Sequence, residues 1–221
     1  RLMPENKLEL LWHDGHQRGS GLMVVLHGFA EHPAAALQLG AMLDTEHRYR
    51  VCAPHGPVKV AESKYAFYRS VSRMNPNPED FNLARVAIRD AVEAAQATEG
   101  VNAADTVMVG FSQGAGLASL AALSKVKSAN IRALIVFGCR VYPDELVEWD
   151  IDPTQNIRIF AAHGIKDSLS PIGEVQEFFN RVGARGAEMT WETHPHGHSL
   201  SAENISAASR WLLQLTQGEP A

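Results

Sequence analysis

VMVGFSQGAG, which spans residues 107–116, is the stretch that decides the fold of this chain. Its first residues are β-branched or apolar and favour a strand, whereas the residues that follow it, LASLAAL at 117–123, favour a helix. Ser112 therefore lies at a sharp turn, with Gly110 and Gly114 where larger side chains would collide with the neighbouring strand or helix. Such a turn is typical of an exposed serine nucleophile. A glycine-rich turn in another kind of α/β protein is the alternative.

The composition is that of an ordinary globular protein. With 221 residues, 45% of them hydrophobic and 20% charged, the chain predicts a single domain, residues 1–221, with a substantial core. The net charge of −5 and the lack of a basic cluster argue against nucleic acid or a membrane surface as a partner. The longest apolar runs, 22–26 and 133–137, are too short to cross a membrane, and we see no signal peptide. Because Cys52 and Cys139 form no disulfide framework, we expect a cytoplasmic protein.

Predicted strands and helices alternate along the chain. Apart from the strand before Ser112, apolar runs predict strands at 8–12, 22–26, 50–54, 131–138, 157–162 and 188–193. The last of these alternates in polarity and suits a position nearer the sheet edge. Apart from the helix after Ser112, helices are predicted at 33–43, 79–98, 174–182 and 202–215. This alternation predicts an α/β fold, a mostly parallel sheet with helices on both faces.

Residues 55–78 interrupt this alternation. They are rich in Pro, Ser and Asn and predict an irregular connection that carries three aromatic residues, Tyr65, Phe67 and Tyr68. Connections of this length in a compact domain are usually functional or disordered. Two interpretations stay open: a loop whose rings pack it onto the core, or a lid-like segment whose rings line a substrate pocket.

The candidate catalytic residues follow the predicted strands. In α/β sheets of this kind, ligands bind beyond the carboxyl ends of the strands. Ser112 follows one such strand, Asp167 follows the strand at 157–162, and His198 follows the last strand. Their order along the chain, Ser, Asp, His, is that of one type of catalytic triad. A serine hydroxyl needs an adjacent base, which predicts Ser112 as nucleophile, His198 as base and Asp167 as the carboxylate that orients the imidazole.

Two other histidines compete with His198 for the role of base. His194 and His196 precede it by a few residues, but Gly197 allows a tight turn that would aim His198 at Ser112. Three histidines in five residues also suggest a metal site. Because no matching cluster of Cys, Asp or Glu accompanies them, we expect neither a metal nor another cofactor.

Backbone N–H groups at two of these strand ends are candidates for an oxyanion hole. The donors would be Phe29, in the turn after the strand 22–26, and Gln113, which follows the serine. His27 precedes this turn, and we interpret it as a structural residue beneath it.

These motifs resemble the phospholipase/carboxylesterase group of α/β-hydrolases, which includes acyl-protein thioesterases and small bacterial carboxylesterases. The resemblance runs from about Val24 to Leu213 and rests on LHGF at 26–29, GFSQG at 110–114, HGIKD at 163–167 with Pro171, and Gly197-His198 with Glu203. It implies an α/β-hydrolase fold without a large cap domain, hydrolysis of ester or thioester bonds, and oxyanion stabilisation by the backbone of Phe29 and Gln113.

The chain departs from the usual pattern of that group around the motifs. Ala30 and Glu31 stand where the group usually has glycine and aspartate, and Ser170 replaces a hydrophobic residue before the proline. The residues 65–69 only echo a Trp-Phe-Asp-like segment of the group. These changes leave the three candidate catalytic residues intact and concern the surface that would bind the acyl group.

The sequence thus predicts a serine hydrolase of small or medium esters or thioesters, with a small-molecule substrate. An acyltransferase or biosynthetic thioesterase with the same triad is one alternative, and a non-catalytic binding protein with the same fold is another. A homodimer is plausible in the group that the chain resembles.

Overall fold

The strands and helices follow the predicted order closely. The computed structural model describes residues 7–14, 21–72, 75–123, 129–143, 146 and 157–217. The strands are Leu10–Trp12 (β1), Gly21–Leu26 (β2), Tyr49–Pro54 (β3), Val58–Ala61 (β4), Lys64–Ala66 (β5), Ser70–Ser72 (β6), Asn75–Pro76 (β7), Thr106–Phe111 (β8), Ala133–Phe137 (β9), Arg158–Gly164 (β10) and Glu188–His194 (β11). The helices are Pro33–Leu43 (α1), Pro78–Glu99 (α2), Gln113–Leu123 (α3), Ile172–Ala184 (α4) and Ala202–Gln217 (α5), with a short 3₁₀ turn at Ala103–Asp105.

Seven of the described strands form one sheet in the order β1-β3-β2-β8-β9-β10-β11. All neighbouring pairs in it are parallel except β1 and β3. The central strands β2 and β9 are apolar throughout and buried along their whole length, as expected for strands covered on both faces. The strand predicted to lie nearer the edge, β11, is the edge strand opposite β1. The prediction of a mostly parallel sheet is confirmed.

Helices cover both faces of this sheet because side chains of each strand alternate between two cores. Leu22 and Val24 of β2 pack in one core with residues of α2, α3 and α4. Met23 and Val25 of the same strand pack in the other core with residues of α1 and α5. Because β2, β8, β9 and β10 are parallel, their carboxyl ends lie at the same edge of the sheet.

The prediction that residues 55–78 are irregular is wrong in part. The segment contains two short antiparallel pairs, β4 with β5 and β6 with β7. These strands are not predicted from the sequence because each has only two to four residues, too few for an alternation of polarity to indicate a strand.

Among the helices that the structure describes, none combines the length and the apolar character needed to cross a membrane.

Candidate active site

Ser112 occupies a strained backbone position between β8 and α3. Its φ of 55° lies in the left-handed region, which costs a residue with a side chain about 1–3 kcal/mol. The N–H of Ser112 donates to the carbonyl of Phe137 at 3.0 Å, which ties the turn to the end of the neighbouring strand β9. A Cβ atom at Gly114 would collide with the carbonyls of Leu26 and His27, so glycine is needed there for helix α3 to approach β2 closely.

His198 lies between Ser112 and Asp167. Its Nε2 is 2.7 Å from the Ser112 hydroxyl, and its Nδ1 is 2.6 Å from Oδ2 of Asp167. An ionised carboxylate only accepts hydrogen bonds, so Nδ1–H donates to Asp167 and Nε2 is left to accept the Ser112 proton. The structure therefore brings the three predicted residues into one hydrogen-bonded chain.

The Asp167 carboxylate is fully enclosed and is held by its own loop. Its Oδ1 accepts the N–H groups of Leu169 at 2.8 Å and Ser170 at 2.9 Å. Burial by itself would raise the pKa of Asp167, but the hydrogen bonds from Ser170, His198 and Leu169 outweigh it and hold the pKa below its ordinary value. Asp167 is thus an anion that faces the imidazole.

His163 supports the same loop from beneath. Its side chain is buried and its Nε2–H donates to the carbonyl of Ser170 at 2.7 Å, with Oδ2 of Asp167 at 3.3 Å. Burial lowers the pKa of His163 despite that hydrogen bond, so the ring is neutral. Two main-chain hydrogen bonds, from Ile165 to His194 and from Lys166 to His196, join this loop to the one that carries His198.

The competing histidines lie elsewhere. The ring of His194 is buried at the end of β11, and His196 is exposed on the following loop. Neither has a hydrogen bond to Ser112 among the described contacts. Within the described part of the chain, no group of three or more His, Cys, Asp or Glu side chains is placed to hold a metal ion.

The turn at 27–31 is fixed by hydrogen bonds on both sides of Phe29. The Nδ1–H of His27 donates to the carbonyl of Gly28 at 2.8 Å, and its Nε2 accepts the N–H of Gly56 at 3.0 Å. Burial lowers the pKa of His27 to about 4, so the neutral ring makes both bonds at neutral pH. The N–H of Gly28 donates to the Glu31 carboxylate at 2.7 Å. Phe29 itself is half exposed.

Gln113 fastens the segment after β5 to the start of α3. Its side-chain Oε1 accepts the N–H of Phe67 at 2.9 Å, and its Nε2 donates to the carbonyl of Tyr68 at 3.3 Å. As the first residue of the helix, Gln113 also has a backbone N–H without an intrahelical acceptor. Phe29 and Gln113, whose N–H groups are predicted as oxyanion donors, both line the same cavity as Ser112.

A cavity of about 410 Å³ opens in front of Ser112. It is lined by residues from six segments of the chain, namely Phe29, Ser70, Ser72, Ser112, Gln113, Arg140, Leu169, Ser170 and His198. Sequence reasoning missed Ser70, Ser72, Arg140 and Leu169. Arg140 and Leu169 had a usable signal, because both follow the ends of buried strands, as the candidate catalytic residues do.

The assignment of Tyr65, Phe67 and Tyr68 to the pocket is corrected by the structure. None of them lines this cavity. Phe67 is buried and stacks on the His27 ring at 4.5 Å, while the buried Tyr68 shares a hydrogen bond of 2.8 Å with the hydroxyl of Tyr142. Tyr65 is half-buried and packs against His55. The rings of Phe67 and Tyr68 therefore pack this segment onto the core, which is the first of the two interpretations.

The comparison with known families decides the relationship. A phospholipase/carboxylesterase family model matches residues 13–215, almost the whole chain. The chain belongs to the phospholipase/carboxylesterase family. As a member of that family it is an esterase-type hydrolase with the α/β-hydrolase fold.

Solved structures share this fold at low sequence identity. A Bacillus cereus carboxylesterase superposes with a TM-score of 0.81 at 17% identity, over 94% of both chains. A phospholipase/carboxylesterase from Dyadobacter fermentans has a TM-score of 0.73 at 19% identity, over 96% of this chain and 100% of its own. YahD, solved with malic acid, has a TM-score of 0.80 at 14% identity, over 94% of this chain and 99% of its own.

The structure shows how two departures of this phospholipase/carboxylesterase member from the usual family pattern are accommodated in the turn after β2. Ala30, where the family usually has glycine, adopts a φ of 58° and therefore bears the strain that glycine would avoid. Glu31, in place of the usual aspartate, reaches back to the N–H of Gly28 and pairs through its backbone with Tyr65. The turn is thus built in this chain with a longer acid and a less favourable residue.

Proposed function

We propose that this family member hydrolyses esters or thioesters of small to medium acyl groups through an acyl-enzyme on Ser112. The observation that carries the proposal is the chain of hydrogen bonds from Ser112 through His198 to Asp167, of 2.7 and 2.6 Å. At its serine end, this chain faces a cavity that is large enough for a small acyl group.

The first half of the reaction forms the acyl-enzyme. Oγ of Ser112 attacks the carbonyl carbon and its proton passes to Nε2 of His198, while Asp167 stabilises the imidazolium. The backbone N–H groups of Phe29 and Gln113 stabilise the oxyanion, and one such donor typically contributes about 2.7–4 kcal/mol. The tetrahedral intermediate then collapses, and the departing alcohol or thiol takes the proton from Nε2.

The second half releases the acid. Water enters the cavity, gives its proton to Nε2 of His198 and attacks the acyl carbon as hydroxide. The second intermediate collapses to the carboxylic acid, and Ser112 recovers its proton from the imidazolium. Atoms and protons balance with the residues present, so no cofactor enters the scheme.

Labelling with a fluorophosphonate probe tests the proposal, together with hydrolysis of para-nitrophenyl esters of increasing acyl length. We expect Ser112→Ala to abolish both labelling and turnover. Ser119→Ala is the matched control, because Ser119 lies on the same helix but donates its hydroxyl to the carbonyl of Ala115. Full turnover by Ser112→Ala would overturn the proposal.

The two alternatives give different outcomes in the same experiments. Labelling accompanied by transfer of the acyl group to added alcohols or amines in preference to water would indicate an acyltransferase. A folded wild-type protein that neither reacts with the probe nor hydrolyses any ester would indicate a binding protein. A cytoplasmic location, a single domain over 1–221 and a homodimer stay predictions, the last of which light scattering after gel filtration tests.

A further inference from the structure

Ser170 is fixed in place on the loop that carries the candidate catalytic carboxylate. Its backbone N–H donates to Oδ1 of Asp167 at 2.9 Å, and its carbonyl accepts the Nε2–H of His163 at 2.7 Å. Pro171 follows it as the N-cap of α4, and the ring of a proline restricts the backbone further. The backbone of Ser170 is therefore held on both sides, which gives its side chain a defined position next to the candidate catalytic residues.

The hydroxyl of Ser170 takes no part in these contacts. Within the described part of the chain, the hydrogen bonds of Ser170 are made by its backbone. The hydroxyl does not cap the following helix, because the N-cap of α4 is Pro171 and no side chain bonds there. Its oxygen is not sealed in the interior either, in contrast to Nδ1 of His163. The hydroxyl is thus accessible, and no group of the described residues binds it.

The cavity in front of Ser112 is the space that Ser170 borders. Ser170 as a whole is 6% exposed, so water reaches its hydroxyl through this cavity. A substrate that fills the cavity displaces that water, and a hydroxyl left without water or another partner costs free energy. Ser70 and Ser72 also line the cavity, but they belong to an exposed strand, β6, and keep their contact with water. Ser170 is therefore the serine at which a bound substrate has to supply a partner.

The surroundings of this hydroxyl favour a neutral partner. The Asp167 carboxylate lies directly behind Ser170, bound to its N–H, and repels an anion at this position. Leu169 and Phe29 supply apolar lining on either side of the cavity. A hydroxyl group donates and accepts hydrogen bonds without a charge. The cavity therefore suits a short apolar substrate that carries one hydroxyl.

We propose that the Ser170 hydroxyl determines specificity by binding a hydroxyl group that the substrate carries near its scissile ester or thioester. The proposal rests on the hydrolase function proposed above and adds hydroxylated esters or thioesters as the preferred substrate class. The substrate hydroxyl replaces the displaced water, whereas an apolar group of the same shape leaves Ser170 unpaired. The hydroxyl belongs either to the acyl part, as in a 3-hydroxy acid, or to the leaving group, as in the monoester of a diol.

The test compares hydroxylated esters with isosteres in which a methyl group replaces the hydroxyl. For the acyl part, the pair is para-nitrophenyl 3-hydroxybutanoate and para-nitrophenyl 3-methylbutanoate. For the leaving group, the pair is 2-hydroxyethyl butanoate and propyl butanoate, followed by titration of the released acid. The measured quantity is the ratio of kcat/KM for the hydroxylated ester to kcat/KM for its isostere. The pair whose ratio responds to substitution of Ser170 locates the hydroxyl.

We expect Ser170→Ala to lower this ratio by about three- to tenfold, the effect of losing one hydrogen bond between neutral groups. Ser170→Thr keeps a hydroxyl and should retain most of the wild-type ratio. Ser119→Ala is the matched control, because it removes the hydroxyl of a buried serine that bonds to the carbonyl of Ala115 and does not line the cavity. Its ratio should equal that of the wild type.

The outcomes separate the role of Ser170 from the reaction. If the esters are hydrolysed but Ser170→Ala leaves both ratios at the wild-type value, the subsite is wrong and the hydrolase proposal stands. A decrease in Ser70→Ala or Ser72→Ala without one in Ser170→Ala also overturns it, since the exposed strand would then bind the hydroxyl. If the folded wild type hydrolyses no ester and resists the fluorophosphonate probe, the hydrolase proposal is overturned and the subsite with it.

Circular dichroism verifies the folding of each variant. If Ser170→Ala does not fold, Ser170→Cys gives the same comparison, because a thiol of nearly the same size is a much weaker hydrogen-bonding group. Its ratio is then expected to fall below that of Ser170→Thr, and equal ratios for the two variants would contradict the proposal.

Discussion

The candidate active site has two sides, an acid–base side around His198 and Asp167 and a proposed oxyanion side around Phe29 and Gln113. The two sides are held in different ways. On the acid–base side, Asp167 takes its backbone hydrogen bonds from residues two and three positions further along, Leu169 and Ser170. On the oxyanion side, the support comes from distant parts of the chain. His27 accepts the N–H of Gly56, and Gln113 binds the segment that carries Phe67.

This difference separates the chemistry from the shape of the cavity. The Asp167 carboxylate accepts its backbone hydrogen bonds from its own loop, and two main-chain hydrogen bonds join that loop to the one that carries His198. The oxyanion side depends on the segment of β4 to β6, which also contributes Ser70 and Ser72 to the cavity wall. Changes in that segment should therefore alter oxyanion binding and substrate choice together, without moving His198 or Asp167.

Removing the charge on the acid–base side should have the largest effect. We expect Asp167→Asn to lower kcat by about 10⁴-fold with a small change in KM, because a neutral amide neither stabilises the imidazolium nor fixes the tautomer of His198. Steady-state kinetics on a para-nitrophenyl ester, with circular dichroism to verify folding, checks it. A decrease of less than about tenfold would mean that Asp167 does not orient the base.

Protonation of His27, on the oxyanion side, should lower the free energy of unfolding at mildly acidic pH. Burial lowers the pKa of His27 to about 4 from 6.5, so the unfolded chain binds this proton more readily than the folded chain does. The contribution of His27 to the free energy of unfolding is then fully present above pH 6.5 and is lost as the pH falls toward 4. The loss from this group alone is about 3 kcal/mol. The lowered pKa of Asp167 acts in a more acidic range, below the ordinary value of 3.8.

Urea unfolding across this window, compared with His27→Gln, measures the contribution of His27. The variant should have a flatter dependence of the unfolding free energy on pH, since glutamine does not titrate. Parallel curves for the two proteins would show that His27 is not the group responsible. The lowered pKa of His163 contributes in the same direction in both proteins and cancels in the difference.

The smallest expected effect concerns the acceptor that fixes the turn at Gly28. We expect Glu31→Ala to lower kcat by about tenfold with KM nearly unchanged, because the N–H of Gly28 loses its partner and the adjacent N–H of Phe29 is less well aimed. Glu31→Gln keeps an oxygen acceptor and should retain most of the activity. If both variants lose activity equally, the charge of Glu31 rather than its hydrogen bond matters.

Much of the fold follows from the sequence because it depends on contiguous apolar runs. The helix at 33–43 was predicted with the bounds that α1 has, and the strand at 22–26 differs from β2 by one residue. Both are long enough for burial to dominate over local propensity. The predicted relationship to phospholipases and carboxylesterases is confirmed for the same reason, since its motifs lie at the ends of these strands.

The cavity wall was harder to predict because its residues come together only through tertiary contacts. β6 is three exposed residues held in place by neighbours, and nothing in its own sequence marks Ser70 or Ser72. The large aromatic residues of the segment 55–78 suggested a pocket wall because of their size. Phe67 and Tyr68 are instead buried, and the less conspicuous Arg140 lines the cavity.

The two edges of the sheet bear on how copies of this enzyme associate. β1 has three residues, and β11 carries the charged side chains of Glu188 and Glu192, the first of which pairs with Arg158 of β10. Short edge strands, and charged side chains on an edge strand, both oppose the joining of two sheets edge to edge. The sheet is therefore protected against growth by strand addition, and a dimer of this protein is expected to form through helices or loops.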